Sequence, residues 1–544
     1  MLEKTPIKFE SSESVEYAGL LLLLPFLIEA GLLSYTSHYN ELSLGYYSLD
    51  FIILLMAFMY LGRIKNPEQL KKISPGEFGK LMGVDRIPQA RCLRSKLKSI
   101  CQQNKSQQWN MDLANEWSSK EGNEFYYIDG HVQVYSGYSG NLGKKHIARQ
   151  RLCLPGMQEF WVNNNEGLPY FYVTGEVNEK LLEMLTEQII PKLVNEIQPK
   201  HSEEELNNDP QLPYLTIVFD REAYSPQAFR KIWDKYRIAV LTYRKNVKDS
   251  WDELDFTPYT IETDGIKEEM KLSEKEVVLN DMAMREIRKL SNDGHQTSII
   301  TTNRKISIKN LAINMFSRWR QENYFKYMRK DYDFDRIMQY LVEQIDSDFT
   351  VSNPEYNNIT YHIKKTREKI SRRKAKLYEL IEANISDSME STAKQLKKQA
   401  IEQEELDELQ CKEAELINNR HLLPSRIKIK DMPENLKYNR LHLESKLFQN
   451  IIKMICYRAE TNCANVLADY YKRYKDEKRE LVKSLIFSHG DIICDEVNET
   501  LEVNLYSQSS PRQNYALGKL CDLLNDAEHY YPGTNLKLFY KIAK

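Results

Sequence analysis

Apolar residues recur along this chain with several periods, and each predicts its own kind of element. Leu20 to Leu24, followed by Pro25, and Phe51 to Leu61 are the strongly apolar runs. Both fall short of the roughly 18 to 20 residues a membrane-spanning helix needs, so they predict core helices within a helical segment over residues 1–120. Strand-like runs follow at 124–128, 132–136, 157–162 and 170–174, then a helix pattern over Glu179–Ile197. A short apolar run, Leu215 to Phe219, stops at Asp220 and leads into a helix over Pro226–Tyr236 and the strand AVLTYR. From about 246 to 302 the text alternates in short segments and predicts a β insert. Lys309 to Met328 carries no Gly or Pro, and Leu311, Met315 and Trp319 recur every four residues, with Ile313 and Phe316 beside them. That spacing predicts a largely buried helix.

Ile363, Ile370 and Leu377 repeat every seven residues, Leu380 and Ile381 extend the face, and polar Asn384 weakens it. The arm from Lys364 to Lys376 is basic, with Glu368 as its acid, whereas Glu402, Glu404, Glu405, Asp407, Glu408, Glu413 and Glu415 make the return arm acidic. An antiparallel coiled coil over 346–425 with complementary flanks is the economical reading, and a basic arm that tracks a DNA backbone is its rival. Residues 426–544 begin with a long helix, LHLESKLFQNIIKMICYRAETNCANVLADYYKRY, and end in a small α/β segment. Strands are predicted there at Asp491–Cys494, Leu501–Tyr506 and Leu536–Tyr540, with a helix over Tyr515–Asp526.

A chain of 544 residues with 42% hydrophobic and 28% charged residues is ordinary for a folded protein of roughly two to four domains. Its net charge of −2 gives no global nucleic-acid signature, so any DNA contact must rest on local patches. The eight cysteines are scattered without a CxxC pair, which predicts free buried thiols. Glu3, Glu10, Glu13 and Glu16 make the first residues acidic rather than a basic leader, and the expected location is the cytoplasm, with the nucleoid. No GxxxxGK[ST], GxGxxG or GxSxG occurs, so nothing indicates ATP hydrolysis, a dinucleotide cofactor or an α/β-hydrolase nucleophile.

The candidate chemistry lies in three acids on three elements: Asp129 in YYIDGHVQVY, Asp220 in LTIVFDREAYS and Glu322 in SRWRQENYFKYM. Asp129 lies on or beside a strand, although Asp-Gly between apolar runs also reads as a hairpin turn. Asp220 ends a strand before a crossover helix, where acids of open α/β sheets often reach a site, although a helix cap is an alternative. Glu322 follows Arg318 by one helical turn, and Arg before Glu is the less favourable order for a simple ion pair. Three carboxylates converging on Mg²⁺, with Mn²⁺ as an alternative, would suit phosphodiester chemistry on two ions about 3.5 to 4 Å apart. Arg318, Arg320, Lys326, Arg329 and Lys330 around Glu322 are candidate phosphate-holding cations.

The order Asp, Asp, Glu on strand, strand and helix resembles the DDE-type transposases of bacterial insertion sequences, in the cut-and-paste branch. The resemblance implies a ribonuclease H-like catalytic core over 121–345 with a β insert, three early antiparallel strands followed by parallel ones in a mixed sheet. It fits the 91 positions from Asp129 to Asp220 and the 102 from Asp220 to Glu322. The helix signature of that branch matches Arg318 and Glu322, places Arg329 where Lys is usual, and meets Met315 where Tyr is usual. GHQTSIITTNRKISIKNLAINMFSRWRQENYFKYM and the terminal YPGTNLKLFYKI extend the likeness. Relatives carry a helix-turn-helix upstream of this start and pair two subunits with two DNA ends.

On this reading the chain cleaves double-stranded DNA at transposon ends and transfers the strand into target DNA, as a homodimer assembled on DNA and without a membrane. A metal-dependent nuclease on the same fold and a domesticated, non-catalytic DNA-binding protein are the alternatives. Residues 73–101 form a candidate helix-turn-helix that could present Arg86, Arg91, Arg94, Lys96 and Lys98 to a major groove. Lys144, Lys145, His146, Arg149 and Arg151, with Arg230, Lys231, Lys235, Arg237, Arg244 and Lys245, could line a DNA channel, and His131 shares the Asp129 strand, where it could touch phosphate or simply pack.

Overall fold

The computed structural model describes the backbone of residues 5–543 apart from 40–41, 43, 138–141, 148–150, 264–265, 317–318, 337–341, 344, 383–388, 442 and 472–474. Strand β1 (Ser12–Val15) precedes helices α1 (Leu20–Glu29), α2 (Leu49–Leu61), α3 (Pro75–Met82), α4 (Ala90–Cys101) and α5 (Ser106–Glu121). Ser48 caps α2 by accepting from the Phe51 amide, and Pro75 opens α3, which Gly83 ends in the left-handed conformation. Leu20 to Leu24 and Phe51 to Leu61 are buried all round, as the two apolar runs predict for core helices. Among the described residues no helix is long and apolar enough to cross a membrane.

One large sheet contains β2 (Phe125–Val134), β3 (Lys144–Ile147), β4 (Leu152–Asn164), β5 (Pro169–Glu176), β6 (Leu215–Phe219), β7 (Ile238–Tyr243), β8 (Thr257–Thr263), β9 (Ile266–Leu279), β10 (Met282–Leu290) and β11 (Gln296–Thr301). β2, β4 and β5 form an antiparallel meander, β6 lies parallel to β2, and β7 lies parallel to β6. The runs predicted at 124–128 and 132–136 are a single strand, in which Asp129 pairs with Trp161 and Gly130 with Phe160. The hairpin alternative for Asp129-Gly130 is therefore overturned. A tight turn needs its two flanks to pair with each other, and here β4 and β6 occupy both edges of β2.

The 179–197 pattern folds as α6 (Leu181–Met184) and α7 (Ile190–Glu196) around a π turn, and α8 (Glu203–Asn208) follows. Helix α9 (Pro226–Tyr236) has its predicted bounds, with Ser225 accepting from the Ala228 amide at its start. The β insert is antiparallel, and β11 joins it directly to β7. Its strands are longer than the sequence predicts, 14 residues in β9, because charges alternate along an exposed face instead of breaking the strand.

Helices α10 (Ile308–Phe316) and α11 (Trp319–Tyr332) lie either side of residues 317–318. After β12 (Val342–Glu343) and β13 (Thr350–Ser352), α12 (Pro354–Glu382) and α13 (Met389–His421) form the predicted antiparallel pair, and β14 (Arg426–Lys428) returns beside β13. Ile363 and Ile370 are buried in its seam, and Arg367–Glu413 and Arg373–Glu402, both 2.6 Å, join its flanks. β15 (Arg440–Leu441), α14 (Glu444–Leu467), α15 (Lys475–Ile486), β16 (Gly490–Asp495), β17 (Thr500–Leu505), α16 (Pro511–Asp526) and β18 (Lys537–Ile542) complete the chain.

The first and last segments share one core. Residues 1–120 are not wholly helical, because β1 pairs with β16 in a sheet ordered β1, β16, β17, β18. Helices α1 and α2 pack on α14, Tyr60 donates to Gln449 at 3.1 Å, and Tyr540 donates to the Leu21 carbonyl at 2.9 Å. A Cβ on Gly19 would lie 1.7 Å from the Leu485 carbonyl oxygen, so only glycine admits this approach of α1 to α15. The cysteines are free as expected, but Cys153 and Cys411 are exposed, each on an element with a solvent face.

Candidate active site

Tyr127 and Val218 are register partners on β2 and β6, and both pack against Leu311, Ala312 and Met315 of α10. Side chains alternate along a strand, so two residues further on Asp129 and Asp220 leave the sheet on that same side. Ile128 and Phe219 are the last partners between them, which puts Asp129 and Asp220 side by side on strands about 4.8 Å apart. Asp220 keeps an extended backbone and caps the short turn Arg221–Ala223, accepting from the Arg221 amide at 2.6 Å. The cap alternative is thus correct, and it coexists with a position beside Asp129 at the end of β6.

The helix that carries Glu322 is fastened to the same place by the residue before it. Gln321 is buried, and its Nε2 donates to the carbonyl oxygen of Tyr127 at 3.2 Å, to that of Trp161 at 3.5 Å and to Asn163 Oδ1 at 3.0 Å. Trp161 is the register partner of Asp129. Further along, His131 stacks on Phe325 with centroids 5.1 Å apart, and Tyr127 donates to the Asn314 carbonyl at 2.7 Å. Asp129 lies between these two contacts, facing the start of α11, where Glu322 is exposed. The backbone therefore brings all three acids to one side of one sheet region.

Their carboxylates are not yet gathered. Among the described residues no group of three His, Cys, Asp or Glu is close enough to hold a metal ion. Asp129 Oδ1 accepts from the Gly130 amide at 3.0 Å, so Asp129 and Asp220 each turn an oxygen to their own backbone. The all-oxygen donor set suits a hard divalent cation, and loading one would require these side chains to reorient.

The candidate cations divide. Lys326 and Lys330 are exposed one and two turns beyond Glu322 on the same face of α11, and Lys144 is exposed on β3. Arg329 is half-buried. Arg320 reaches back to the Asn165 carbonyl at 3.0 Å. Lys145 is half-buried and donates to Gln158 Oε1 at 2.8 Å; burial lowers its pKa, with Glu222 opposing. Gln158 packs beneath Gly130, on the side of β2 away from Asp129. Arg318 and Arg149 lie outside the described residues.

Arg237 and Arg244 prove structural. The first donates to the carbonyls of Leu206, Asp209 and Leu212, and the second pairs with buried Glu286. His131 is a packed histidine, its Nε2 2.6 Å from Asp335. Met315 is fully buried beneath α10, so its position faces core.

Two contributors went unread in the sequence. Gln321 gave no signal, being one uncharged polar residue in a helix. Arg221, whose guanidinium lies 5.4 Å from the ring of Tyr243, was hidden by its place in a loop after Asp220. Lys289 of the insert lies 5.1 Å from the ring of Phe316, and Phe316 and Tyr243 are 6.5 Å apart, so an aromatic shelf with two cations adjoins the acids.

The family model described as "Transposase protein" matches residues 2–544. No curated protein matches the chain. A solved structure titled "Cryo-EM structure of piggyBac transposase synaptic complex with hairpin DNA (SNHP)" is similar at 8% identity and a TM-score of 0.30, over 59% of this chain and 70% of that one.

Proposed function

From the premise that this chain belongs to the transposase protein family, we propose that it cleaves DNA at transposon ends and transfers the strand into target DNA. The observation that supports the catalytic assignment is the register of β2 and β6, which sets Asp129 and Asp220 side by side, with Gln321, the residue before Glu322, bonded to the Tyr127 carbonyl of β2. We place the chain with the DDE-type enzymes of insertion sequences and read 121–345 as a ribonuclease H-like core. The meander β2, β4, β5 followed by parallel β6 and β7 supports that reading.

In this mechanism Asp129, Asp220 and Glu322 would hold Mg²⁺, or Mn²⁺ in its place, once their side chains reorient. A divalent cation held there would supply Lewis-acid activation of the attacking and leaving oxygens. Arg221 and Lys289 hold phosphates of the flanking DNA on the Tyr243–Phe316 shelf, while Lys326 and Lys330 extend the positive edge along α11. Two copies of the chain act on paired DNA ends.

The deciding experiment offers the protein a pre-cleaved duplex with a free 3′-hydroxyl, a plasmid target and Mg²⁺. Joined product that disappears with chelator is expected. Hydrolysis without joining would turn the reading into a nuclease, and duplex binding with neither product would leave a non-catalytic DNA-binding protein.

A further inference from the structure

The cations of α12, apart from Lys374, which is exposed on the other flank, fall into two populations. Arg367 and Arg373 face the return helix and are paired with Glu413, Glu402 and Glu405, and Lys376 is paired with Glu402. Lys364, Lys369 and Arg372 are exposed and form no ion pair or hydrogen bond among the described residues, and Lys365 beside them meets Glu368 at 3.0 Å and lies 5.8 Å from the ring of Tyr361, both on the same helix. At about 100° per residue these four cations occupy an arc of roughly 140° that faces away from the seam of Ile363, Thr366 and Ile370, with Glu368 within it and Lys376 near its edge, from which Lys376 reaches across to Glu402. The inner cations close the hairpin, and the outer ones contribute nothing to it.

The arm that carries them is fixed at its root. Arg426 on β14 donates to Glu179 at 2.7 and 3.0 Å and to Glu183 at 2.7 Å, and Asn353 donates to the Pro424 carbonyl at 2.9 Å. Those bonds hold the base of α12 and α13 to the start of α6. A 29-residue helix projects about 43 Å from such a base.

We propose that the outer stripe Lys364, Lys365, Lys369 and Arg372 of α12 is a docking surface for the phosphate backbone of duplex DNA, independent of the catalytic cleft. The stripe is charged and has no apolar seam, so it cannot bury area against a second helix as coiled-coil association requires. A duplex offers what the stripe lacks, a continuous line of phosphates at one negative charge per about 1.7 Å of axis. The inference rests on the transposase reading for its choice of polyanion, and it assigns the contact to one face of α12, because the hairpin as a whole carries as many acidic as basic residues and the positive charge is concentrated from Lys364 to Lys376.

The test titrates the full-length protein against a random-sequence 40-bp duplex over a range of KCl concentrations, beside a variant carrying Lys364→Ala, Lys369→Ala and Arg372→Ala. Three lost phosphate contacts should flatten the log-log salt slope by about 2 to 3 and weaken binding roughly 10- to 100-fold at physiological salt, with the helical signal unchanged. The charge-preserving set Lys364→Arg, Lys369→Arg and Arg372→Lys should retain the slope. A variant with the unaltered slope overturns the stripe while leaving the functional reading in place. A lower sedimentation mass of the variant at constant slope overturns it too, by showing that the stripe meets a second copy of the chain. No duplex binding by the unaltered chain overturns the functional reading, and this inference with it.

Discussion

Gln321 donates a hydrogen bond to the carbonyl oxygen of Tyr127, and these residues stand one before Glu322 and two before Asp129. A neutral amide thus ties the start of α11 to β2 and β4, next to the candidate acids.

Replacing Asp129, Asp220 or Glu322 with Ala should reduce metal-dependent strand cleavage to below about a hundredth of the unaltered rate, since even outer-shell partners in metal sites are worth 10- to 100-fold. Gel-shift binding to the duplex should persist. A variant that cleaves at the full rate removes its residue from the metal site.

Gln321→Leu keeps the side chain's size but leaves the acceptors on Tyr127, Trp161 and Asn163 without this donor. Stability should fall by about 1 to 3 kcal/mol, read by denaturant unfolding. The folded fraction should lose kcat more than KM, because the defect lies in how Glu322 is presented.

Arg63 meets Glu460 at 2.5 Å, and Glu460 also accepts from Tyr327 of α11 at 2.8 Å. With Glu460 almost wholly buried, Arg63→Met should strand its charge and cost about 3 to 5 kcal/mol in thermal or denaturant unfolding. The double variant with Glu460→Gln should recover part of the loss. A cost for the single variant below about 1 kcal/mol would mean Arg479, 4.0 Å from Glu460, already neutralises it.

Lys453 is fully enclosed, and burial, aided by Lys446, lowers its pKa to about 7, with Asp333 and Glu159 opposing. The unfolded chain keeps this ammonium protonated up to about pH 10.4, so between about pH 7 and that value the unfolded state binds more protons. Stability contributed by this residue therefore rises with pH across that window and is flat below it. Lys453→Met should stabilise the fold at pH 7 by on the order of 3 to 5 kcal/mol, an advantage that vanishes above about pH 10. Unfolding midpoints of the two proteins that stay parallel across the window would contradict this.

Elements whose pattern is local were legible in the sequence. The strand ending at Asp220, the helix opened by Pro226 and the heptads of Ile363 and Ile370 needed no distant partner to declare themselves. Asp129 was ambiguous because Asp-Gly carries turn chemistry, and only pairing on both edges of β2 decides for a strand. The contact of β1 with β16 was invisible, since a four-residue strand has too little pattern to announce a partner 475 positions away. Arg237 and Arg244 were misread for a related reason: a sequence displays charge, while the carbonyls and the buried Glu286 that consume it are set by the fold.

The pairing of β1 with β16 also dictates an order of events during synthesis. The partner strands of Ser12 and Val15, and the α14 surface that covers α1 and α2, are made after more than four-fifths of the chain. At about 5 to 20 residues per second, the leucine-rich first helices wait roughly half a minute to a minute and a half for their cover. Over that interval they are the natural targets for holding chaperones, and a ribosome that stalls before α14 leaves both apolar helices without the surface that covers them.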